Sequence, residues 1–101
     1  MASPVYDTLR KLLGFYFRDE FYTTGIKAAR TAIAENVEYR DAWPQIVEAI
    51  TNRTLEPGEP LDLLIDGANL PLDDDTEDEA YLWLDKMVAN LTRTDGIIDE
   101  Y

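Results

Sequence analysis

Apolar residues recur along this chain at intervals of three and four, and no segment shows a convincing alternation. Val5, Leu9, Leu12, Leu13, Tyr16 and Phe17 fall on one face of a helix. Ser3 followed by Pro4 supplies an N-cap and a proline in the first turn, so a first helix is predicted from about Pro4 to Arg18. Gly14 weakens it locally or lets another backbone come close. Asp19 to Thr24 reads as a connection rich in aromatics, with Thr24 capping a second helix whose stripe is Ile26, Ala29, Ile33 and Val37. Asn36 marks its end. Tyr39, Trp43, Ile46, Val47 and Ile50 form a third stripe, interrupted by Pro44. Proline fits the first turn of a helix, so this helix is predicted from about Asp41 to Asn52.

Leu55 to Glu59 reads as a turn. Pro60 opens a short helix through Leu61, Leu64 and Ile65, stopped by Gly67. After a polar loop from Asn69 to Asp75, Thr76 and Glu79 form a capping box, with threonine at N-cap and glutamate at N3. Tyr81, Leu84, Met87, Val88 and Leu91 then carry the last helix to about Arg93, followed by a turn at Asp95-Gly96. The pattern predicts an all-α, single compact domain of about five helices over residues 1–101, with no internal repeat and no linker.

Composition narrows the chemistry. The 101 residues include no cysteine and no histidine, and a single serine, Ser3. Disulfides, thiolate chemistry, the commonest zinc ligand and the commonest general base are therefore absent. A Ser/His/Asp or Cys/His site cannot be assembled, and no catalytic residue, metal or cofactor is expected. The start shows no basic region followed by an apolar run, and no stretch approaches the roughly 20 apolar residues of a membrane span. A cytoplasmic, soluble protein that is a monomer when free is the expectation.

Charge is uneven. The net charge is −12. Residues 1–50 hold seven acids against six bases, and residues 51–101 hold fourteen acids against three bases, a net of −11. Such a surface disfavours nucleic acid and anionic membrane and favours a basic protein partner. The densest run is Asp73-Asp74-Asp75-Thr76-Glu77-Asp78-Glu79. Glu77, Asp78 and Glu79 complement a helix dipole, but Asp73 to Asp75 precede the cap and repel one another. Calcium fails: counting an EF-hand loop from Asp73 puts Asp78 where glycine is needed and Leu84 where a bidentate glutamate is needed. A catalytic carboxylate pair would need a pocket, which a solvated run does not supply. A surface that accepts arginine and lysine is favoured over a merely solvated face. Aromatics are numerous. Phe15, Tyr16 and Phe17 are about 100° apart in turn on a helix, so all three cannot face one core. Some of Phe15, Tyr22, Tyr39 and Tyr81 are expected at the surface, where they would suit an interface.

The order of motifs resembles a known family. Leu9-x-x-Leu12-Leu13-Gly14-x-Tyr16-Phe17-x-Asp19-x-Phe21 is similar to the start of the immunity proteins of bacterial contact-dependent growth inhibition systems. Glu59-Pro60-Leu61-x-x-Leu64-x-x-x-Gly67 resembles their penultimate helix with its glycine stop. Tyr81-Leu82-Trp83-Leu84 with Leu91 resembles their last helix, with Trp83 one place nearer the tyrosine. Arg18 stands where the family often has a histidine, and Trp43-Pro44 is a departure. The resemblance spans about residues 5–91.

It implies a cytosolic protein that neutralises one cognate toxin, often a nuclease, by occlusion and without chemistry. The acidic character read from the residues fits that role, because nuclease toxins carry basic surfaces for phosphates. The candidate partner-binding residues are Asp62, Asp66, Asp73, Asp74, Asp75, Glu77 and Asp78, with Tyr81 as an aromatic anchor. The alternative is an acidic adaptor or DNA mimic that regulates a basic nucleic-acid-binding protein.

Overall fold

Leu9, Leu12, Leu13 and Phe17 are all buried at the spacing of one helical face, which is why the first segment folds as a helix and where it docks. In the computed structural model this is α1 (Pro4–Tyr16), followed by α2 (Tyr22–Glu35), α3 (Val37–Thr51), α4 (Glu59–Asp62) and α5 (Glu77–Thr92). A π-helical turn, Leu63–Gly67, continues α4. The structure describes residues 4–18, 20–70, 72, 76–93 and 96–97. No strand occurs among them, and the fold is all-α with five helices, as the periodicity predicts. The predicted cap at Ser3 lies outside the described residues.

α1 packs against α2, α3 and the π-helical turn, while α5 packs against α2, α3 and α4. The shared core holds Leu9, Leu12, Leu13, Ile26, Ile46, Ile50, Leu63, Leu64, Leu84 and Met87. An aromatic group pins α5 to the α1–α2 junction: Trp83 meets Phe17 edge-on at 5.5 Å and Tyr22 edge-on at 5.8 Å. Such edge-to-face pairs add about 0.5–1.5 kcal/mol each beyond their buried area. One glycine is obligatory. A Cβ at Gly25 would lie 2.6 Å from both the Phe17 ring and the Tyr16 carbonyl oxygen, so α2 reaches α1 only because residue 25 has none. Gly14 faces the Gly67 carbonyl oxygen, where a Cβ would stand 3.6 Å away, and α1 and the π-helical turn approach there as the sequence suggests.

Several features differ from the expectation, beginning with α1, which ends at Tyr16 and not Arg18. α2 begins at Tyr22 with Phe21 at N-cap, three residues before the expected cap Thr24. α3 begins at Val37, not Asp41, so Pro44 lies well inside it. Asn36 explains this: its N–H bonds the Ala32 carbonyl to end α2, and its side chain accepts from the Glu38 N–H at 2.9 Å to start α3. Pro44 leaves the Arg40 carbonyl without its helical donor, a loss of about 3 kcal/mol in a helix interior. Both residues lie on the exposed side, where solvent can reach that carbonyl. Val37, expected on the buried stripe of the second helix, is 56% exposed as the first residue of α3. Gly67 closes a π-helical turn and not an α-helix, with the Ala68 N–H bonding the Leu63 carbonyl at 2.9 Å. The wider turn buries Leu63 and Leu64 and turns Ile65 and Asp66 outward.

Both ends of α5 follow the sequence signals. Thr76 caps it by accepting the Glu79 N–H at 3.2 Å, and Arg93 is its C-cap. At the far end Arg30 donates twice to the Asn90 carbonyl, at 3.0 and 2.7 Å, and once to the Gly96 carbonyl at 2.7 Å. A guanidinium beside the last carbonyls of a helix complements its dipole. Asn90, 1% exposed, donates to the Tyr22 hydroxyl at 2.8 Å, so the one strongly buried polar side chain of α5 is satisfied.

Candidate partner-binding surface

Arg10 organises the first group of acids. It sits on α1, one turn from Tyr6, and faces the α4–π segment. Its Nη1 donates to Asp62 at 2.9 Å and its Nη2 to Asp66 at 2.6 Å. The Tyr6 hydroxyl donates to the same Asp62 carboxylate, and Arg18 donates to the Asp66 carbonyl at 3.0 Å. The hydrogen bond from Arg10 holds the Asp66 carboxyl below its ordinary range, and Asp66 in turn raises Arg10. The Asp62 carboxylate raises Tyr6, because an anionic acceptor stabilises the protonated phenol. Asp62 and Asp66 therefore have a structural employment: they fasten the last part of the α4–π segment to α1.

The acids at the start of α5 divide differently. Glu77 accepts the Gly58 N–H and ties the turn before α4 to α5. Asp78 is exposed and Glu79 half-buried, and neither is in a salt bridge with another described residue. Asp78 adds to the negative field that raises Arg53. Asp73, Asp74 and Asp75 lie outside the described residues.

Tyr81 differs from the expectation of a surface ring. It is 6% exposed, and burial pushes its phenol up. Its place on the same helical face as Leu84, Met87 and Leu91 decides this, since that face is the core face of α5. Arg53 covers the ring, with its guanidinium carbon 4.6 Å from the centroid, and ion-pairs with Asp85 at 2.7 Å. Tyr39 is likewise buried, with its phenol raised by desolvation, and Tyr22 is partly covered by Trp83 and by the Lys86 ammonium 4.8 Å from its centroid. Of the four aromatics among which some were expected at the surface, Phe15 is the one clearly there, at 72% exposure.

The most exposed large apolar side chain among the described residues is one the sequence placed in an aromatic connection without expecting it at the surface. Phe21 is 82% exposed at the N-cap of α2. It borders a groove of about 280 Å³ whose other walls are Glu20, Asn69 and Leu70, with the buried Phe17 ring beneath. The available signal was its place in a helix connection, outside every apolar stripe.

Among the described residues no cluster of three acids could hold a metal ion, and no helix is long and apolar enough to cross a membrane. What the surface offers chemically is carboxylates, some fastened and some not, beside exposed aromatic rings. No family model matches the chain, and no curated protein or solved structure is similar to it.

Proposed function

We propose that this protein is an immunity protein that binds one basic toxin domain, of the nuclease kind, and neutralises it by occlusion in the cytosol. The resemblance of residues 5–91 to the immunity proteins of contact-dependent growth inhibition suggests the role. The observation that carries it is the distribution of charge. Residues 51–101 hold a net −11, and at the start of α5 Asp78 and Glu79 are in no ion pair with other described residues. Unpaired carboxylates on a rigid helix attract a basic partner and select it by complementarity. Occlusion needs no catalytic group, in keeping with a chain that has no histidine or cysteine.

The test is co-expression with the C-terminal domain of the large secreted protein encoded immediately upstream. Nanomolar binding with rescue of growth is the expected result, and affinity should fall with added salt. Absence of both binding and rescue overturns the immunity reading for that pair. Affinity spread over many unrelated DNA-binding proteins would instead indicate an acidic adaptor.

A further inference from the structure

We propose that the groove at the α1–α2 corner is an arginine-docking site, in which a partner's guanidinium stacks on Phe21 while its N–H groups reach the Glu20 carboxylate. This rests on the reading of a basic partner and deepens it by naming the side chain and the place. Phe21 is the most exposed large apolar residue of the described chain, and its ring does not contribute to the core. The groove it borders is open, and Glu20 is the charged residue of its lining. A carboxylate and an uncovered aromatic ring at one groove make a pairing that suits arginine above other side chains. The guanidinium is planar, weakly hydrated, stacks on rings and donates in a fork to carboxylates. A lysine ammonium makes a point contact and loses the stacking. A purely apolar guest would leave Glu20 without a partner. The overall charge of −12 draws a cationic guest toward the whole surface, and the ring then gives the corner its selectivity.

The same pairing already occurs inside the molecule, where Arg53 lies over Tyr81 and bonds Asp85. There an arginine of this chain occupies the site. At Phe21 no cation-π contact with another described residue is present.

The experiment titrates the full chain, labelled for NMR, with a hexa-arginine peptide and separately with a hexa-lysine peptide. Hexa-arginine is expected to give saturable shifts at Glu20, Phe21 and Leu70, at least about fivefold tighter there than hexa-lysine. Phe21→Ala should abolish those shifts and Glu20→Gln should weaken them, with the remaining spectrum unchanged because neither side chain belongs to the core. Shifts confined to the start of α5, equal shifts with both peptides, or shifts that survive Phe21→Ala would each overturn the proposal. None of these readouts needs the toxin. A failed toxin complex with a positive titration removes the immunity reading alone, and the reverse removes the arginine site alone.

Discussion

Two groups of carboxylates in the acidic half meet opposite fates. Asp62 and Asp66 are gathered under Arg10, with Tyr6 and Arg18 completing the attachment. Asp78 and Glu79, on the first turn of α5, are held by their helix but paired with no cation of the described chain. The difference teaches where to look for binding. An acid already bonded to an internal arginine must lose that bond to meet a partner, whereas an unpaired one loses only water. The acids of one half of the chain thus divide into a part that holds the fold and a part free to recognise.

The largest expected effect is on partner affinity. Charge reversal of Asp78 and Glu79 to lysine should weaken the toxin complex by about 100-fold, mostly through slower association and loss of salt dependence. The same reversal at Asp66 should change affinity less and stability more. Surface plasmon resonance at two salt concentrations, with urea midpoints in parallel, separates the two. If Asp66→Lys proves the more damaging for binding, the division between holding and recognising is wrong.

Next is Arg10→Ala. It removes both carboxylate bonds and the stem that lies near Gly67. Because the pairs are more than a third exposed, solvent screens them, and the loss should be about 1 kcal/mol. Thr76→Ala, by comparison, takes away the acceptor for the Glu79 N–H and should cost about 0.5–1 kcal/mol by loosening the first turn of α5. Denaturant midpoints measure both. Thr76→Ala should also reduce partner affinity slightly, since it disturbs the turn that presents Asp78, while Arg10→Ala should not.

How much of this was legible in the sequence depends on range. α5 was read nearly to the residue because its signals are local: a threonine cap, a glutamate three residues on, and a stripe that ends at Leu91. α3 was misplaced because Pro44 is also a local signal, and it was outweighed by Asn36, which closes one helix and opens the next. Helical geometry alone required that Phe15, Tyr16 and Phe17 not all face the core, and Phe15 is the one left outside. Tyr81 belonged to the core stripe of α5 by the same geometry, and its nearness to the acids in sequence suggested a surface role that burial denies. Arg10 meets its acids across 52 and 56 residues, a separation at which a single sequence carries no pairing information. The same holds for Gly25, whose necessity comes from a ring and a carbonyl on another helix. Phe21 was legible as an aromatic of the connection and of the family motif, but its exposure was not, since a connection, having no period, gives no face against which to judge it.

The smallest effect is the most direct test of the fastened state. The hydrogen bond from Arg10 holds the Asp66 carboxyl below the ordinary carboxylate range. An acid whose folded pKa is depressed contributes stability that is complete above its unfolded value and is lost as pH falls through the folded value. The advantage of the native chain over Asp66→Asn should therefore be constant from neutral pH down to about 4 and vanish below it. The absolute stability curve cannot show this, because protonating the other acids also relieves the repulsion of a chain at −12. That relief is nearly common to both proteins and cancels in the difference between them. Urea midpoints of the two at matched pH supply that difference. Curves that stay parallel from pH 7 to pH 2.5 would mean that the contact with Arg10 adds nothing to folding, and Asp66 would then return to the set of acids available to a partner.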